Sequence, residues 1–188
     1  MIRYSIYCFT QNVKDFRIKM NSNTKKTVIA ALMAALVCVF TMIIKVPSPM
    51  KGYLNLGDGI VLLVGWTLPS GYGFLAAAIG SALADLLSGY ATYAPATFII
   101  KGTMALIALA CFKLMKGRIG KLPSQIIGGI LAEAVMVMGY FVFEGFLYGF
   151  APSVVNIPAN AMQGAIGIII GVASVKILEK TNLQAFFE

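Results

Sequence analysis

Long uncharged apolar runs recur along this chain, separated by short polar breaks rich in proline, glycine and lysine. The first, residues 27–44, holds 18 residues without a charge, within the roughly 17 to 25 that a bilayer-spanning helix needs. Lys45-Val-Pro-Ser-Pro ends it. Residues 59–84 are also uncharged, but Pro69-Ser-Gly-Tyr-Gly73 places turn formers in the middle, which predicts two helices joined by a tight turn. The first of that pair, about residues 55–68, reaches only about 21 Å at 1.5 Å per residue, short of a hydrocarbon core about 30 Å thick. It is expected to be a short or irregular span. Four further helices are predicted: about 72–88, from the 89–95 loop to near Phe112, about 124–148 and about 157–178. Six spans make the expected fold an all-α integral membrane protein, a six-transmembrane-helix bundle occupying residues 20–188.

Composition agrees with the pattern. At 59% hydrophobic residues, 12% charged and mean hydropathy +0.85, a water-soluble domain of this size would carry a large exposed apolar surface. The net charge of +8 does not indicate nucleic acid, because the lysines and arginines lie in short clusters between apolar runs rather than on one exposed face. Twelve of the 15 fall on the side of the two termini and of the break after the fourth helix; Lys45 and Lys51 lie opposite, and Lys101 is inside a span. The positive-inside bias therefore makes both termini cytoplasmic and residues 45–54, 89–95 and 149–156 external; the cell membrane of a bacterium is the expected location. Residues 1–19 lack an apolar stretch fit for a signal peptide. They read as an N-terminal extension upstream of a start at Met20, outside the native chain.

Chemistry is narrowed mostly by exclusion. No histidine occurs, so His-based metal sites and Ser-His or Cys-His catalysis are ruled out, and Cys8, Cys38 and Cys111 form neither a disulfide framework nor a metal motif. There is no Walker A sequence for ATP and no two-fold internal repeat of the kind many secondary transporters carry. Neither an enzyme motif nor a cofactor motif stands out.

Five ionisable groups sit inside apolar stretches, and four of them, Asp58, Asp85, Lys101 and Glu144, come to the external end of their spans once the chain is threaded. Lys101 lies six residues past Pro95, about 9 Å down its helix. Asn55, Asn160 and Gln163 share that depth, with Tyr90 and Tyr93 at the same level. A charge at depth costs about 2.5 to 3.5 kcal/mol on insertion scales, so such groups face a bundle interior or a wet cavity and find partners. Asp85 is the expected partner of Lys101, and the nine residues together are the candidate small-molecule site, with no metal. Glu133, at mid-span, lines the floor of that cavity or pairs within the bundle. Ala30, Ala31, Ala34 and Ala35 form two overlapping Ala-x-x-x-Ala pairs, a flat strip where another helix, inside or outside the bundle, can approach closely.

The Lys-Lys start before Ala-Ala-Leu-Met-Ala-Ala-Leu, the Gly52-Tyr-Leu-Asn-Leu-Gly-Asp58 entry, the Ala-Ala-Ile-Gly-Ser-Ala-Leu-Ala-Asp85 run and Tyr93-Ala-Pro-Ala-Thr-Phe-Ile-Ile-Lys-Gly102 together resemble the substrate-binding S component of energy-coupling factor (ECF) vitamin transporters. Within that family the pattern is most similar to the pyridoxine and hydroxymethylpyrimidine types. The resemblance implies capture of a vitamin from outside beneath a lid formed by the loop between the first two helices. It also implies docking, through the alanine strip, to a membrane-coupling subunit with two ATPases. A riboflavin-type S component, a self-sufficient carrier and a membrane enzyme are the alternative readings.

Overall fold

The computed structural model describes residues 22–47 and 53–181. Residues 1–19, expected to be an extension, and residues 48–52 of the loop after the first helix lie outside the described residues. Each uncharged run becomes a helix: α1 Ser22–Ile43, α2 Gly57–Thr67, α3 Ser70–Leu87, α4 Ala94–Ile119, α5 Lys121–Tyr148, the short α6 Phe150–Ser153 and α7 Ile157–Lys180. Among the described residues, five apolar helices or helix runs are long enough to cross a membrane. Pro69 sits at the N-cap of α3, where its missing N–H costs nothing, and the break it marks separates α2 from α3 as expected.

α2 is shorter than expected, 11 residues or about 16 Å, and every residue from Gly57 to Trp66 is buried. It packs against each of the long helices, and the others surround it in the sequence α1, α3, α4, α5, α7. A helix that is apolar on all sides belongs in such a centre. Close approach to α7 depends on glycine: a Cβ on Gly171 would lie 3.0 Å from the Gly59 carbonyl oxygen and 3.1 Å from the Trp66 ring. Ala76 to Ala78, Gly80, Gly164 and Gly167 are likewise buried, the internal packing role expected of small residues.

Three connections differ from the sequence expectation. The fourth helix does not stop near Phe112 but runs on to Ile119, and a single residue, Gly120 at φ 85°, turns the chain into α5. Lys113, Lys116 and Arg118 are good helix formers and stay exposed on the extension, so their charge marks the membrane edge without ending the helix. Two of the loops expected outside also hold structure. Lys45–Pro47 (β1) and Tyr53–Asn55 (β2) pair antiparallel, with Val46 opposite Leu54, a small hairpin added to the all-α bundle. The connection between α5 and α7 contains α6 and a 3-10 turn, Val154–Asn156.

Candidate functional site

Asn55, at the end of β2, starts the site. Its side-chain oxygen accepts from the Gly57 N–H at 2.9 Å, closing the turn into α2, while its own N–H donates to Gln163 Oε1 at 2.8 Å. Gln163 Nε2 in turn donates to Asp58 Oδ2 at 2.6 Å. The other oxygen of Asp58 is bonded to the Lys101 ammonium. A continuous chain of contacts thus runs from the hairpin, through α7 and α2, to α4. Lys101 also lies over the Tyr140 ring, 5.5 Å from its centroid.

The expected pairing of Lys101 with Asp85 is therefore corrected: Lys101 takes Asp58. Both carboxylates lie at a similar depth, but Asp58 is in the first turn of the enclosed helix and has no solvent exposure. A buried carboxylate without a counter-charge is strongly destabilising, so the cation goes to the more deeply enclosed of the two. The N-terminus of α2 adds favourable dipole charge at the same point. Asp85 instead accepts from the Tyr53 hydroxyl at 2.7 Å. Tyr53 lies outside the spanning helices, and its pKa is pushed above the ordinary tyrosine value, first by burial and then by the Asp85 charge, which keeps it a donor.

A cavity of about 30 Å³ opens at this level, lined by Tyr53, Asn55, Asp85, Tyr90, Tyr93, Thr97, Tyr140, Glu144, Asn160 and Gln163. Seven of the nine candidate site residues are in that lining. Asp58 and Lys101 are not: Asp58 stands one hydrogen bond behind it through Gln163, and Lys101 behind Asp58. Tyr53, Thr97 and Tyr140 complete the lining and are not among the nine residues expected from the sequence. Helical spacing held the missing signal: Thr97 is one turn before Lys101, and Tyr140 one turn before Glu144, so each shares the face of a residue already chosen. Their hydroxyls lie 3.0 Å apart and join α4 to α5.

Tyrosine rings make the outer wall. Tyr53 and Tyr90 have centroids 4.7 Å apart, and Tyr90 meets Tyr93 edge-on at 6.5 Å. Above them Lys45 donates to Ser88 at 2.6 Å and lies 5.7 Å from the Tyr53 centroid, tying the hairpin to the end of α3. Glu144 accepts from Asn156 Nδ2 at 2.8 Å. Asp85 Oδ2 and Glu144 Oε2 are buried with no hydrogen-bond partner among the described residues.

Glu133 does not line the cavity. It is 5% exposed and packs against α7, where a Cβ on Gly167 would meet both Glu133 Oε1, at 2.9 Å, and Asp58 Cβ, at 2.8 Å. It stands beside the Asp58–Lys101 pair without joining it. On α1 the two alanine pairs part company. Ala30 and Ala34 face inward, where Gly80 of α3 comes against the Ala34 carbonyl; Ala31 and Ala35 are exposed.

Comparison with known proteins places this geometry. Residues 21–180 match the model of the family described as "ECF-type riboflavin transporter, S component". An uncharacterised protein of Pyrococcus woesei is 37% identical over 77% of this chain and 95% of its own length. The thiamine precursor transporter HmpT of Lactococcus lactis is 27% identical over 87% of this chain and 93% of its own. The fold is shared with a solved S component of a bacterial ECF transporter, at TM-score 0.69 and 24% identity, over 85% of this chain and 98% of that one. Such components are multi-pass membrane proteins that bind a vitamin substrate and associate with an ECF module, and are transporter subunits rather than enzymes. By the extent of the family match, the chain belongs to the S components of ECF transporters.

Proposed function

We propose that this S component captures a small single-ring vitamin or precursor, of the hydroxymethylpyrimidine or pyridoxine type, at its external end. The supporting observation is the cavity's chemistry: four tyrosines beside two carboxylates, Asp85 and Glu144, each with one oxygen unpartnered among the described residues. Flat faces suit ring stacking, and free acceptors suit amino, hydroxyl or protonated ring-nitrogen donors. An anionic substrate fits worse, because the lysine of this layer is already bonded to Asp58. The cavity, at about 30 Å³, is well below the roughly 300 Å³ at which small-molecule pockets begin. Entry of any ligand therefore requires the Tyr53 hairpin and the tyrosine wall to move outward, and a single ring requires the least movement. The thiamine-precursor relative supports the same class. Riboflavin is the second reading, favoured by the description of the matching family.

Calorimetric titration of the isolated chain with hydroxymethylpyrimidine, pyridoxine, pyridoxal, pyridoxamine, riboflavin, thiamine and pantothenate tests this. Submicromolar binding is expected for a hydroxymethylpyrimidine or a pyridoxine-type vitamin. Submicromolar binding confined to riboflavin or pantothenate overturns the assignment.

In the proposed assembly six helices lie in the cell membrane of a bacterium, the short α2 enclosed by the five long ones, with both termini inside, and the chain works with a membrane-coupling subunit and two ATPases. The clustering of Lys113, Lys116, Arg118 and Lys121 at the α4–α5 joint supports that orientation. On a background without native cysteines, an impermeant thiol reagent applied to intact cells should label Thr92→Cys and spare Lys116→Cys. Strong external labelling at position 116 inverts the topology.

A further inference from the structure

Between α5 and α7, a groove of about 470 Å³ shares no lining residue with the vitamin cavity. Leu122, Ile126, Ile168, Ile169 and Val172 line it, with Lys176 at one end. On α7 the groove face runs Ile169, Val172, Lys176 and, one turn on, Lys180, so an apolar stripe about 10 Å long turns basic as it leaves the bundle. On α5 the order is the same: Ile126, then Leu122, then Lys121.

The charges at that end do not cancel. Glu179 is held by Lys121 at 3.2 Å, while Lys176 and Lys180 are exposed and have no acidic partner among the described residues. An apolar trough closed by two free ammonium groups at the membrane edge is complementary to a ligand with a long alkyl chain and an anionic head. Basic recesses between spanning helices bind such headgroups. No packing of α1 on α5 or α7 stands among the main helix contacts, so the groove and the exposed Ala31–Ala35 strip lie on different flanks of the bundle.

We propose that this groove is a binding site for one anionic phospholipid, its acyl chain between α5 and α7 and its phosphate at Lys176 and Lys180. The site exists whichever vitamin the external cavity takes, and its test uses no vitamin.

Native mass spectrometry of the delipidated chain, with dioleoyl phosphatidylglycerol and dioleoyl phosphatidylcholine in turn, isolates the headgroup charge. One phosphatidylglycerol per chain is expected, preferred over phosphatidylcholine by on the order of tenfold or more, since each nearby lysine contributes about fivefold. The double substitution Lys176→Gln, Lys180→Gln touches only exposed side chains and should bring that ratio close to one. Dihexanoyl phosphatidylglycerol, with the same head and short chains, should bind much more weakly than the dioleoyl lipid. Equal binding of the two dioleoyl lipids by the unaltered chain overturns the proposal. So does an unchanged preference in the double variant, equal binding of the short-chain lipid, or a dimer of this chain formed in place of the lipid complex.

Discussion

Lys101→Met should destabilise the folded chain by about 3 to 5 kcal/mol, the range for removing one partner of a buried ion pair. For a chain of this size that corresponds to a fall in Tm of roughly 6 to 20 °C. The cause is what remains: Asp58, with no solvent exposure, keeps only the Gln163 amide as a donor among the described residues. Asp58→Asn should be comparably damaging, because it strands the ammonium. The double variant Asp58→Asn, Lys101→Met should recover most of the loss, since neither charge is then present. Asp85→Asn should cost far less, because an amide oxygen still accepts from Tyr53. Thermal unfolding of the four variants in detergent checks the pairing. A loss from Asp85→Asn equal to that from Asp58→Asn would mean that Asp85 balances the lysine.

Changing Ala31 and Ala35 together to leucine should abolish vitamin uptake by cells carrying the complete transporter while leaving ligand binding to the isolated chain intact. Both positions are exposed on α1, beside Leu32 and Leu36, and a flat alanine strip permits close approach of another helix. Leucine side chains there hold a docking helix away without touching the bundle. The neighbouring pair is the control. Ala30 is buried and Ala34 lies where Gly80 of α3 comes closest, so leucine at either position overpacks the interior, at a cost of about 1 to 3 kcal/mol. Those variants should therefore show reduced stability before any effect on uptake. Equal loss of binding and uptake from Ala31→Leu, Ala35→Leu would make the strip part of the internal packing and remove it from docking.

Run length and residue type determined the elements of this protein, because a span in lipid needs an unbroken apolar stretch and turn formers end it. The helix ends before Lys45 and Gly89, the break at Pro69 and the unusually short α2 all follow from that rule. Depth was legible as well: at 1.5 Å per residue, position along a span places Asn55, Asp85, Glu144, Asn160 and Gln163 in one layer, where they line one cavity. Charge clusters misplaced the end of α4, since lysines mark the membrane edge without terminating a helix. Facing was decided only by tertiary structure. Asp58 and Asp85 compete for Lys101 at nearly the same depth, and the burial of α2 on every side gave the lysine to Asp58. The same rotation of helices turned Ala30 and Ala34 inward and Ala31 and Ala35 outward, and brought Thr97 to Tyr140. Hydropathy reports how far along its helix a residue lies; which neighbour it meets depends on the packing of all the helices at once.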